Sequence, residues 1–286
     1  MPPSRAAEPS LTQRSVEVIL EGQAPSGAYV ACPSFPPYRY CWLRDGSFVA
    51  DAMSRAGERA SAEGFFDFVE RLDGFDARYR LDGGRDESHW PLRQHDGWGL
   101  LLWALRGHCR RHRVASRWDT ARIERRLERV RHEPCVDWWE EREGIHAATL
   151  ACIAAGLEDA LDLSAAEQRL DASLLVLPFL GFELPRPIDE LVSPGGGVWR
   201  YPGDEYYGGG EWLLLTALLG LCSEARAADC LEWVAAHATP EGHLPEQAQD
   251  HLQVPDMYEP WVAKWGPPPS PLLWSHAMFL DLAMRH

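Results

Sequence analysis

The chain has 286 residues, 45% of them hydrophobic, and a formal net charge of −15, with Lys264 the only lysine beside 27 arginines. That acidity repels phosphate backbones, and neither a basic amphipathic stretch nor an apolar run of 18 residues is present, so nucleic acid and membrane are excluded as partners. The N-terminal MPPSRAAEPSLTQRS lacks the apolar stretch of a secretory signal, and seven scattered cysteines without C-x-x-C spacing read as buried hydrophobes in a reducing, cytoplasmic setting.

Helical periodicity dominates and no period-2 alternation stands out, so the expected fold class is all-α. A first amphipathic helix spans 9–22, with Val16, Ile19 and Leu20 along one side. Further helices are predicted at 46–57, 59–73, 96–113, 116–132, 145–163, 169–181, 209–222, 224–238 and 271–285. Asp45, Ser61 and Asp96 suit helix starts, and Gly57, Gly181 and Gly220 suit helix ends. The helices are of two kinds. WGLLLWAL (98–105), LLLTALLGL (213–221) and PLLWSHAMFL (271–280) are apolar all round and must be buried on every side. TARIERRLERVRH (120–132) carries a single stripe of Ile123, Leu127 and Val130 and reads as an outer helix laced with i,i+4 charge pairs.

The loops carry the chemistry. Each buried helix follows a polar and aromatic segment: YRYCWLRDG (38–46), SHWPLRQHDG (88–97), VDWWEEREG (136–144), RYPGDEYYGGGEW (200–212), and LPEQ with MYEPWVAKWG (within 244–266). Loops leading from buried to outer helices are short and plain. Parallel buried helices inside a ring of outer ones would bring every special loop to one rim. There the helix N-termini favour negative charge. No linker or repeat divides the chain, so residues 1–286 read as a single domain.

Adjacent glutamates are common in a chain with 43 acidic residues, and Glu140 and Glu141 alone would argue only for a solvated pair. Beside Trp138 and Trp139 the reading changes. A carboxyl drawn out of water by indoles keeps its proton to higher pH, which is what a proton donor in glycosidic-bond cleavage requires. Glu246, in HLPEQ on the same rim, is the natural second carboxylate. Arg44 with Asp45, and Arg200 with Asp204, could each be an ordinary ion pair; on one rim they suit the hydroxyls of a sugar ring. Tyr38, Trp42, Trp90 and Trp139 then supply stacking faces. The glycines at 208–210 lack the context of a phosphate loop, and His108 and His112 are crowded by arginines, which disfavours zinc.

In their order, Y-x-Y-x-W-x-R-D-G, Q-x-D-G, W-E-E, L-D-A-S-L-L, R-Y-x-G-D-x-Y-Y-G-G-x-x-W, P-E-Q and W-S-H-A, these motifs resemble glycoside hydrolase family 15, the glucoamylases, from about Gly22 to Met284. QAPSGAY, PWVAKWG and PLLWSHAM are most similar to its bacterial isomaltose glucohydrolase branch. The resemblance implies an (α/α)6 barrel that inverts the anomeric carbon and releases β-glucose from a non-reducing end, with no cofactor or metal. It implies Glu140 as general acid and Glu246 as general base, with carboxyls roughly 6.5–9.5 Å apart. Glu141 would orient substrate or hold an arginine, Arg44 and Asp45 would bind the outer hydroxyls of the terminal glucose, and Arg200 would reach the ring from the opposite loop. Tyr38, Trp42 and Trp90 would shape the pocket, Trp90 lying six residues before Asp96 as in the family.

The chain is short for a twelve-helix barrel. Only SAAEQR (164–169) stands where one outer helix belongs, and PIDELVSPGG (187–196) where a second does. A trimmed barrel is expected, with two outer helices missing or shortened and apolar surface open on that side, for a homo-oligomeric partner to cover. Other readings are a trehalase or maltodextrin glucoamylase on the same fold, a sugar epimerase, or a non-catalytic sugar-binding subunit. The epimerase would need histidines where these loops carry glutamates.

Overall fold

The computed structural model describes residues 9–167 and 169–286. Eleven α-helices appear among them: α1 (Leu11–Glu21), α2 (Leu43–Arg55), α3 (Arg59–Glu70), α4 (Asp96–His112), α5 (Ala121–Val130), α6 (Ala147–Leu157), α7 (Val176–Phe179), α8 (Leu213–Cys222), α9 (Glu224–Ala236), α10 (Tyr258–Trp265) and α11 (Leu273–Arg285). Six form a closed inner ring: α2 packs on α4, α4 on α6, α6 on α7, α7 on α8, α8 on α11, and α11 back on α2. Outside it α1 lies against α11, α3 against α2, α5 against α4 and α6, and α9 against α8 and α11. This is the (α/α)6 arrangement with four of its six outer helices.

The chemistry of the helices explains the layers. α6 and α8 are buried almost throughout, whereas α5 buries only Ile123, Leu127 and Val130. Ser10 opens α1 with a capping box, its hydroxyl on the Gln13 amide and the Gln13 side chain on its own. α4 and α6 approach backbone to backbone because Gly99 and Gly156 face each other. A Cβ on Gly99 would fall 2.4 Å from the Cys152 carbonyl oxygen, and one on Gly156 would fall 2.4 Å from that of Gly99.

The two missing outer helices are the ones expected. Among the described residues, 158–171 hold no helix, and 180–199 hold one 3-10 turn, Asp189–Leu191. The inner helix between them is itself reduced to a 3-10 turn (Ala172–Leu175) followed by α7, eight residues where 169–181 is predicted. The apolar surface expected to lie open there is instead half-covered: Leu161, Leu163, Leu170, Leu180, Phe182 and Leu184 fold onto the core from the replacement loops. The large exposed apolar side chains among the described residues, Leu20, Trp265 and Met284, lie on other elements.

Three two-residue antiparallel ribbons stand at the rim: β1 (Cys41–Trp42) with β2 (Arg78–Tyr79), β3 (Cys135–Val136) with β4 (Glu143–Gly144), and β5 (Glu211–Trp212) with β6 (Gln247–Ala248). Two residues are too few to show periodicity, so no local pattern announces them. All seven cysteines are free, and among the described residues no helix is long and apolar enough to cross a membrane.

Candidate active site

The rim loops enclose a cavity of about 360 Å3. All ten residues singled out in the sequence line it: Tyr38, Trp42, Arg44, Asp45, Trp90, Trp139, Glu140, Glu141, Arg200 and Glu246. Its depth is graded by burial. Trp42, Trp138, Trp139, Trp212 and Trp274 are buried, whereas Trp90 and Trp261 are half-buried and Trp265, at 44% exposure, stands at the mouth.

Arg44 is the hub of the floor. α2 starts three residues earlier than its predicted 46–57, with Trp42 at the cap, so Arg44 and Asp45 fall within its first turn. Gly97 lets the first turn of α4 abut it, since a Cβ there would lie 2.8 Å from the Arg44 amide nitrogen. The guanidinium donates through Nη1 to Gln94 Oε1 and Asp96 Oδ2, both at 3.1 Å, and through Nη2 to Glu140 Oε1 at 3.0 Å. Trp138 and Trp274 face it at 5.6 and 5.4 Å. Burial lowers its pKa, but Asp96, Glu140 and Asp45 more than offset this and keep it charged.

Glu140 sits in the turn between β3 and β4 in a left-handed conformation, φ 57°, unusual for a residue with a side chain. Asp137 holds that turn, its Oδ1 accepting from the amides of Trp139 at 3.2 Å and Glu141 at 2.9 Å. The Trp139 indole in turn donates to both oxygens of Asp171 at 3.0 Å. Gln94 donates to Glu140 Oε1 at 2.8 Å, so both contacts of that carboxyl fall on one oxygen. Burial raises its pKa, and Arg44 and Gln94 oppose the shift.

On the opposite loop, Arg200 forks onto Asp204 at 2.6 and 2.7 Å and donates to Glu141 Oε1 at 3.0 Å, while the Tyr201 hydroxyl donates to Glu141 Oε2. Trp139, Tyr206 and Trp212 surround its guanidinium at 5.1–5.2 Å. Glu246 is buried just before β6, its backbone bonded to Leu213 and Pro269. Burial pushes its pKa up to about 8, against the pull of Arg200, and burial pushes Asp45 up to about 7 despite Arg44. A carboxyl whose folded pKa is raised adds stability at low pH and loses it as pH climbs through the folded value. Stability is therefore expected to fall between about pH 5 and pH 9, and Glu246→Gln to remove part of that fall, on the order of a few kcal/mol. Urea unfolding of both proteins at the two pH values checks this; parallel slopes would refute it.

Several buried polar atoms of the lining residues have no hydrogen-bond partner in the protein: the acceptors Asp45 Oδ2 and Glu246 Oε2, and the donors Arg44 Nε, which faces Asp45 Oδ2 only as an ion pair at 3.7 Å, and the indole nitrogens of Trp42, Trp90, Trp138, Trp212 and Trp274. Sequence reasoning missed Gln94, which bridges Arg44 to Glu140, and Trp274, which PLLWSHAM hides in a buried helix although it lies in the first turn of α11. It also read α10 as loop. The signal there was Trp261 and Trp265 at i,i+4, which put two rings on one face beside Lys264.

Comparison with known proteins fits this geometry. The isomaltose glucohydrolase of Kribbella flavida is 34% identical over 354 aligned positions, covering 96% of this chain and 91% of its own. The family model for glycosyl hydrolases family 15 matches residues 8–78. The chain belongs to glycosyl hydrolases family 15. It is thus a glycoside hydrolase. The aligned length exceeds the chain's 286 residues, so the family 15 relative carries segments this trimmed barrel lacks. A family-15-like fold also appears in a glycosidase variant solved in complex with glucose, 31% identical with a TM-score of 0.81 over 96% of this chain and 95% of that one. The glucoamylase of Saccharomycopsis fibuligera, 14% identical with a TM-score of 0.73 over 96% and 93%, shares the fold.

Proposed function

We infer that this single-domain chain is an inverting, exo-acting α-glucosidase that releases β-glucose from the non-reducing end of a small α-glucoside, isomaltose first. The observation that carries the reading is the set of unpartnered polar atoms in an aromatic cup. Two acceptors and six donors belong to residues that line one small space, and a ring bearing hydroxyls, each both donor and acceptor, would satisfy both kinds. The cavity volume lies at the lower end of small-molecule pockets, about 300–1,000 Å3, which suits a short glycoside. The Kribbella flavida relative supports isomaltose as the substrate.

Glu140 is the general acid. Its contacts occupy Oε1, which leaves Oε2 to carry the proton to the glycosidic oxygen. Glu246 is the general base. Burial raises its pKa although Arg200, Tyr206 and Tyr38 oppose the shift, and a water donating to the unpartnered Oε2 both lowers that pKa and becomes the nucleophile. Arg44 and Asp45 bind the terminal glucose, Glu141 positions Arg200, and Tyr38, Trp42, Trp90 and Trp139 form the walls. The chemistry requires no metal or cofactor.

Proton NMR of the protein with isomaltose, maltose and trehalose in parallel, read in the first minutes, tests the reading. Early β-glucose from isomaltose is expected. Early α-glucose would overturn the acid and base roles, and β-glucose from maltose or trehalose instead would move the substrate to that linkage.

A further inference from the structure

Arg78 lies outside the cavity, is almost wholly buried, and has no part in the chemistry described above. The β1–β2 ribbon sets it directly opposite Trp42. Its guanidinium is packed among three rings, 4.1 Å from Tyr40, 4.6 Å from Trp42 and 4.1 Å from Trp90. Its nitrogens meanwhile reach Asp86 Oδ2 at 2.6 and 2.7 Å and Ser88 Oγ at 3.2 Å. Asp86 and Ser88 are bonded to each other, and Ser88 Oγ accepts from the Trp90 amide at 3.2 Å. Asp86 is buried in a loop whose neighbours Arg85, Glu87, Ser88 and His89 are exposed, so the Arg78–Asp86 pair is what ties Trp90 down.

The two cavity rings that Arg78 touches differ in depth. Trp42 is buried in the wall of the floor, where the terminal sugar would sit, and Trp90 is half-buried near the mouth, where a second sugar would enter. One guanidinium thus links the two places. On the reading given under Proposed function, we propose that Arg78 is a positioning residue that sets the Trp42–Trp90 wall and thereby decides which glycosidic linkage the site accepts. A planar, multiply bonded fork is needed for this. Lysine keeps the charge but can neither stack among three rings nor hold Asp86 and Ser88 together.

The test compares kcat and KM for isomaltose, maltose and α-glucosyl fluoride, which has no second sugar, in the wild-type chain, R78K and D86N. Both variants are expected to shrink the ratio of kcat/KM between the preferred and the disfavoured disaccharide at least fivefold, mainly through KM. Turnover of the fluoride, which meets Trp42 but not Trp90, should fall less than that of the preferred disaccharide, and its persistence reports that the variants are folded. An unchanged linkage ratio in both variants overturns the proposal, as does a loss that is equal for all three substrates. A wild-type chain inactive on every substrate would instead refute the α-glucosidase reading itself.

Discussion

Glu140→Gln is expected to lower kcat for isomaltose about 10³-fold while lowering that for α-glucosyl fluoride by less than about tenfold. The substitution keeps the shape of the side chain and the oxygen that accepts from Arg44 Nη2, so the floor of the cavity should hold. What it removes is the proton on Oε2. A sugar alkoxide is a poor leaving group and needs that proton, whereas fluoride departs without it. Glu246→Gln removes the base that takes the proton of the attacking water, which every substrate needs, so both activities should fall about 10³-fold. The two variants therefore have different signatures. Equal losses on both substrates in Glu140→Gln would remove it from the acid role, and a Glu246→Gln enzyme that still turns over the fluoride at the wild-type rate would need another base.

Much of this arrangement is legible in the sequence because the rim segments break the rules that govern ordinary loops. Trp138, Trp139, Glu140 and Glu141 combine groups that seek opposite surroundings, and only a cup that excludes water while offering polar partners reconciles them. The fully apolar LLLTALLGL likewise reads directly as an inner helix, and α8 spans Leu213–Cys222. The misses have physical causes of their own. α2 begins at Leu43, directly after the β1–β2 ribbon, a pairing between residues 36 and 38 positions apart that local pattern cannot reveal. The inner segment at 172–179 tightens to a 3-10 turn and one helical turn, and the loops on either side of it carry the leucines that shield it. Arg78 was one arginine among 27 in the sequence; three rings and a buried aspartate give it a place only when the chain is folded.

Arg44→Met is expected to destabilise the protein by about 3–5 kcal/mol at pH 8 and to reduce activity on every substrate. The arginine is 5% exposed and lies within 4 Å of Asp45, Asp96 and Glu140, so its removal leaves three carboxyls crowded in a dry site without a countercharge. At present Arg44 pulls the pKa values of Asp45 and Glu140 down against the effect of burial. Without it both rise further. Carboxyls with raised folded pKa values add stability at low pH and lose it as pH rises, so the variant should come closer to the wild type at pH 5 than at pH 8. Arg44→Lys retains one charge but lacks the fork that reaches Asp96 and Glu140 at once, and its stability should fall between the two. Urea unfolding of the three proteins at both pH values decides the matter. A loss of the same size at pH 5 and pH 8 would assign the effect to lost packing against Trp138 and Trp274 and would leave the countercharge without its role.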